Sequence, residues 1–345
     1  MSFMLDEISE QPSVVRSLVS DLEIVRPICD AILGRDIRQV YIVARGTSDH
    51  AAHYAKYLFE IEHGFAVALA APSTLTLYGS GPRFDEHSLV ISISQSGAGA
   101  DVCTYIEDAR RKKALTLAIT NTADSPLAGH SEYTIITPAG IERSVAATKT
   151  YTSALATIAM ISTCLALDPV RREELNALPD VLEGSLQVLD SAKRLASTYK
   201  DLENCVVLGR GYSYSTALEL GLKLTETSAI GAQAFSSADF QHGPIARVVP
   251  GFPCILIAPE GAAYTGMCEI ADKLASRLAS LIVLTSSPEA FPAGASIVKL
   301  PPIIPEWLSP IAYIIAGQLF AHELALAKGK SPDCPIGLSK VTSTI

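Results

Sequence analysis

The sequence predicts an α/β protein made of two copies of one domain, each a five-stranded parallel, doubly wound sheet. Three observations carry this. Short β-rich apolar runs alternate with helical patterns, the arrangement of parallel βαβ units. Four strand signatures recur in one order at a nearly constant offset. The chain is 345 residues long and 48% hydrophobic, enough for two cores of this size.

In the first copy the β-rich runs sit near 40–44, 65–69, 89–93, 115–119 and 133–136, with helical patterns over 47–62, 100–112 and 146–166. The stretch 41–48 (YIVARGTS) resembles 206–213 (VVLGRGYS) at an offset of 165. Residues 91–97 line up with 255–261 at 164, 114–120 with 279–285 at 165, and 134–138 with 297–301 at 163. The copies join near 170–200. This gives a first domain over 1–185, a second over 186–330, and a tail over 331–345 without evident secondary structure. Consecutive strands joined by helices suit the flavodoxin-like order, in which ligands bind at the switch point between the first and third strands. The turns leaving those strands are Arg45-Gly46-Thr47-Ser48 and Ser94-Gln95-Ser96-Gly97, so both are expected to face one crevice.

Composition narrows the function. A net charge of −9 argues against nucleic-acid partners and against docking on acidic membranes. Two apolar runs, 152–167 and 309–328, read as buried helices rather than membrane spans. The first is short and carries Ser and Thr; the second contains Gln318, His322 and Glu323. Seven scattered cysteines without a CxxC pair suggest neither disulfides nor zinc, and point to a reducing, cytoplasmic setting. The N-terminal residues show no secretory h-region. No ligand cluster or dinucleotide fingerprint appears, so no metal or cofactor is expected; Gly209-Arg210-Gly211 is too short for one.

The crevice turns have the chemistry of an anion site. Each precedes a helix, so backbone N–H groups and the positive end of the helix dipole point outward from it. Gly46 and Gly97 permit tight turns. Thr47, Ser48, Ser94 and Ser96 add hydroxyls, and Gln95 an amide. The plainer reading is that Thr47, Ser48 and Ser96 are ordinary helix caps. The second copy has Ala258-Pro259-Glu260-Gly261 at the equivalent place, where a carboxylate would repel phosphate.

The second copy carries other candidates. Glu219, Lys223 and Glu226 share one helix face at i, i+4, i+7, which as spacing alone also fits an ion-paired helix surface. His242, followed by Gly243-Pro244, sits in a loop where it is either an acid or base, or a histidine bonded to a carbonyl. Lys340 stands in the tail, where a solvated lysine is the default.

Together these motifs resemble a known family. Glu7-Ile-Ser-Glu10-Gln11-Pro12, Arg45–Ser48, Ser94–Gly97 and Val145-Ala146-Ala147-Thr148-Lys149 are similar to the entry segment and first sugar-isomerase (SIS) domain of the isomerase half of glucosamine-6-phosphate synthases. Leu208–Gly211, Ala217–Glu226 and His242–Pro244 are similar to its second SIS domain, and Gly337-Leu-Ser-Lys340 to its tail. The resemblance implies two tandem SIS domains acting on a sugar 6-phosphate. Gly46, Thr47, Ser48, Ser94, Gln95, Ser96 and Gly97 would surround the phosphate, with Glu142, Val145 and Ala147 lining the site. His242 would open the sugar ring, reaching into the neighbouring subunit of a homodimer. Glu226 would shuttle the proton between C1 and C2, Lys223 would support charge there, and Lys340 would form an imine with a ketose C2.

Three departures stand out. Where the family has Glu-Thr after Ser-Gln-Ser-Gly, this chain has Ala98-Gly99, so one phosphate-binding hydroxyl is missing. Ala147 replaces a serine. No glutaminase half or N-terminal nucleophilic cysteine is present in the sequence, so glutamine-driven synthesis is not expected of this polypeptide. The implied activity is deamination of glucosamine 6-phosphate to fructose 6-phosphate and ammonia. The alternatives are aldose–ketose isomerisation, deglycation of a fructosamine 6-phosphate, or a non-catalytic sugar-phosphate sensor.

Overall fold

A computed structural model describes residues 2–302 and 305–340. Residues 341–345 of the expected tail lie outside the described residues. The chain divides into two compact units. Among the described residues, one comprises 13–142, 149–176 and 339–340; the other comprises 2–12, 143–148 and the described part of 177–338.

Helices α1 (Phe3–Val19) and α2 (Arg26–Gly34) precede the first sheet. Its strands are β1 (Gln39–Val43), β2 (Ala66–Leu69), β3 (Ser88–Ser94), β4 (Leu115–Thr120) and β5 (Tyr133–Ile136). Between them run α3 (Thr47–His63), α4 (Ser73–Thr76), α5 (Ala100–Arg111) and α6 (Pro126–His130). All pairings are parallel and the order is β2-β1-β3-β4-β5. Every residue of β4 is buried, as is β3 up to its last residue, because helices cover both faces of the sheet. The order reverses between β1 and β3, where Val43 pairs with Ser92. The switch point is therefore at the two expected turns.

Helices α7 (Lys149–Ala166), α8 (Pro169–Leu186) and α9 (Leu189–Thr198) follow. The second sheet contains β6 (Asn204–Gly209), β7 (Gly231–Ser236), β8 (Pro253–Ile257), β9 (Ser280–Thr285) and β10 (Ser296–Lys299). Its helices are α10 (Ser213–Ser228), α11 (Ser237–Gln241), α12 (Tyr264–Ser276) and α13 (Ser309–Ala327). The order β7-β6-β8-β9-β10, again all parallel, repeats that of the first sheet. The sequence repeat is thus a structural repeat, strand for strand.

The helical pattern read from residue 146 begins three residues later, at Lys149. The cause is local. Glu7 accepts from the backbone N–H of Arg143 and Ser144, and the Ser144 hydroxyl donates to the Ala146 carbonyl, which keeps 143–148 out of the helix. The segment 306–327 is long and apolar enough to cross a membrane, but 83% of it is buried inside the fold. Leu220 of α10 lies against Gly317 of α13, where an added Cβ would come within 3.1 Å of it.

Candidate functional site

In the first unit, the N-caps of α3 and α5 are Gly46 and Gly99, and neither helix has a side-chain cap. The capping reading of Thr47, Ser48 and Ser96 therefore does not hold. Ser94 and Ser96 instead shape the turn between β3 and α5. Ser94 Oγ accepts from the Gly97 N–H at 3.1 Å, and Ser96 Oγ accepts from the Ala98 N–H at 3.3 Å. The Gln95 carbonyl accepts from the Asn121 N–H, which turns the backbone at that residue toward β4. Gly97 has φ +61 and an added Cβ there would stand 2.3 Å from Ser125 Oγ, so only glycine fits. Gly46 has φ 56 and ψ −131, open to a backbone that bends sharply from β1 into α3. Arg45, just before it, binds Asp101 Oδ2 through Nε at 2.7 Å.

The same unit joins Glu142 to Lys340. Lys340 Nζ lies 2.6 Å from Glu142 Oε2, with Lys340 25% exposed and the Glu142 side chain fully buried. Glu142 also accepts from the backbone N–H and hydroxyl of Thr150, at 3.1 and 2.7 Å, which secures it to the first turn of α7. Lys340 is thus an ion-paired residue, not the solvated tail lysine of the default reading.

The other unit holds Lys223 between two carboxylates on α10. Nζ is 2.6 Å from Glu226 Oε2 and 3.3 Å from Glu219 Oε1. Lys223 and Glu219 are fully buried, while Glu226 is 20% exposed. The surface ion-pair reading of this face therefore fails: the charges are internal. Burial disfavours the ammonium, but Glu219 and then Glu226 more than offset it, so the lysine pKa is raised above its ordinary value and Lys223 stays charged. Chemically this is a fixed cation beside a carboxylate that solvent can reach.

In that unit Val145 and Ala147 are half-buried within the segment 143–148, and the Val145 N–H donates to the Asp333 carbonyl. His242 is exposed just past α11, its backbone N–H bonded to the Asp239 carbonyl. Gly243 after it has φ 132, which no other residue adopts easily.

Spacing alone assigned Glu219 to the face but not to burial. The partner Asp101 carried no signal of its own, because it stands at a helix start reached by Arg45 from a distant segment.

The chain belongs to the SIS-domain family: the SIS domain matches it twice, at residues 35–163 and 199–328. It is 35% identical over 349 residues to glutamine–fructose-6-phosphate aminotransferase (isomerizing) of Thermococcus kodakarensis, covering 98% of this chain and 57% of that protein. The chain thus spans little more than half the length of such relatives. A candidate phosphosugar isomerase from Silicibacter pomeroyi superposes with a TM-score of 0.88 at 32% identity, covering 96% of this chain and 100% of that one. The C-terminal domain of glucosamine-fructose-6-phosphate aminotransferase from Francisella tularensis does so at 0.89 and 26% identity, covering 97% and 98%.

Proposed function

We propose that this protein is a phosphosugar isomerase that deaminates glucosamine 6-phosphate, or a close amino-sugar 6-phosphate, to fructose 6-phosphate and ammonia. The observation that carries the reading is the buried Glu219–Lys223–Glu226 set, with one reachable carboxylate. Charge fully removed from water is costly to keep and is found where chemistry needs it. The relatives' names add phosphosugars as the substrate class.

The first copy's crevice binds the phosphate, through Gly46, Thr47, Ser48 and Ser94–Gly97. The second copy supplies the acid–base groups. His242 assists ring opening, and its exposure suits a loop that serves a neighbouring subunit of a homodimer. Glu226 takes the C2 proton of the open-chain aldehyde and returns it to C1. Lys223 stabilises the oxyanion that develops meanwhile. The product is a C2 imine. Lys340 attacks C2, ammonia departs carrying the nitrogen, and water hydrolyses the enzyme imine to the ketose, restoring the lysine amine.

The test is ammonia release from glucosamine 6-phosphate, with borohydride trapping of fructose 6-phosphate on Lys340. Release that is lost in Glu226→Gln, and trapping that is lost in Lys340→Ala, support the reading. Clean turnover of a sugar phosphate without ammonia overturns it. One observation favours the second reading, plain aldose–ketose isomerisation: the Lys340 amine is held as an ammonium against Glu142, and isomerisation needs no imine.

A further inference from the structure

The family resemblance implies a phosphate-binding hydroxyl at position 99, where this chain has glycine, yet the backbone there would accept a side chain. Gly99 has φ −63, and an added Cβ would meet only Asp101 Oδ1 at 3.5 Å and Val102 at 3.7 Å, both ordinary contacts. Sterics did not remove the hydroxyl. The nearest side chain to residue 99 is Asp101, and Asp101 has a specific partner.

That partner is Arg45. Val43 pairs with Ser92 across β1 and β3, so the parallel register sets Arg45 beside Ser94, at the mouth of the switch point. Its side chain runs from the β1 turn to the first turn of α5, where Nε reaches Asp101 Oδ2 at 2.7 Å. It therefore links the turn after β1 to the helix that follows the turn after β3. Asp101 is only 1% exposed, and its other oxygen is fixed by the Val102 N–H at 2.8 Å. A carboxylate held this way fixes the plane of the guanidinium. Nε–H is one of five guanidinium donors; the other four sit on a side chain that is 52% exposed. A planar, pre-aimed guanidinium is the group best matched to two phosphate oxygens at once. It also supplies a local positive charge in a chain of net charge −9.

We propose that Arg45 is a ligand of the substrate phosphate that takes over from the absent hydroxyl at residue 99, and that Asp101 is the positioning residue that aims it. The proposal rests on the phosphate reading of the crevice.

The experiment measures KM and kcat for glucosamine 6-phosphate, and Kd for inorganic phosphate, in the full chain. Arg45→Ala is expected to raise KM and Kd by about 30-fold, with kcat changed by less than about threefold. Arg45→Lys, which keeps charge but not the fork, should recover about half of that loss on a logarithmic scale. Asp101→Asn should raise KM by roughly fivefold while discrimination between glucosamine 6-phosphate and unphosphorylated glucosamine falls, a change that mere loss of stability does not produce. Because Arg45→Ala leaves Asp101 buried without its cation, the double variant Arg45→Ala/Asp101→Ala is measured beside it, with a thermal melt to show folding. Folded variants whose KM and Kd stay within about twofold, while Ser96→Ala raises both, overturn the proposal and leave the phosphate reading standing. A wild-type protein that binds neither inorganic phosphate nor any sugar phosphate overturns both.

Discussion

The two copies share a fold and differ in what they do with the same helix start. In the first, the turn after β3 leads into α5 through Gly97 and Gly99, and no side chain caps that helix. In the second, the turn after β8 leads into α12, and Glu306 fills the corresponding place. Its carboxylate accepts from the Ala262 N–H at 2.7 Å and the Ala263 N–H at 3.3 Å. A Cβ at Gly261 would stand 2.3 Å from that carboxyl group. Glu260, in the turn itself, is bound by Ser287. One copy leaves the start of the helix without a side-chain cap; the other places a carboxylate of its own at the equivalent turn. What the second copy keeps instead is the buried charge on α10. The equivalent helix starts thus differ: an internal carboxylate closes the second, and the proposed phosphate site uses the first.

Four measurements would break or sharpen this contrast. The largest effect is expected from Glu226→Gln. kcat should fall by about 10³-fold while the Kd for inorganic phosphate stays within about twofold, because general acid–base groups act on the reaction and not on phosphate. A parallel loss of phosphate affinity would end the division of labour between copies.

Next is Lys223→Met, which leaves Glu219 buried with no cation. Urea unfolding should show a loss of about 3 kcal/mol, partly recovered by adding Glu219→Gln. The pH dependence has a definite sign. The Lys223 pKa is raised on folding, so its stabilisation is complete below the ordinary lysine value, about 10.4, and fades only as pH rises through the higher folded value. The wild type should therefore lose stability at alkaline pH along a limb that Lys223→Met lacks.

A smaller effect is expected in the first copy. Ser94→Ala/Ser96→Ala should raise KM for the sugar phosphate by about tenfold, with kcat nearly constant. An unchanged KM would mean that these hydroxyls only shape the turn. Smallest is Glu306→Ala, which removes the acceptor of the Ala262 and Ala263 N–H groups just ahead of α12. Its melting temperature should drop by an amount equivalent to about 1 kcal/mol, and inorganic phosphate should restore more of it than the wild type gains. No extra rescue would show that the second position has lost its affinity for anions altogether.

Much of the fold was legible because both sheets use runs of Val, Ile, Leu and Ala at repeated spacing. The Ile91-Ser92-Ile93 and Ile255-Leu256-Ile257 runs became β3 and β8 in equivalent sheet positions. The start of α7 was not legible, because hydrophobic periodicity ran on through 146–148 while a carboxylate over 130 residues earlier, Glu7, tied that backbone out of the helix. The grouping of the candidate residues was legible where they stand at consecutive positions, as in Ser94–Gly97, or along one helix face, as on α10. It was not legible where a long-range partner sets the role. Lys340 read as solvated until Glu142 was found beside it, and nothing in Arg45 pointed to Asp101.

Asp333 ties together three stretches of one unit. Its carboxylate accepts from the Ser2 hydroxyl and from the Phe3 and Met4 N–H groups, and its carbonyl accepts from the Val145 N–H. That has a bearing on the order of events at the ribosome. The first sheet is contiguous between residues 39 and 136 and can pair as soon as that length has emerged. The unit that contains α10 cannot close until Asp333 arrives, so the start of α1 waits through nearly the whole of synthesis for its acceptor. The two turns at the switch point of the first sheet would exist on the nascent chain well before α10 is locked into its finished surroundings.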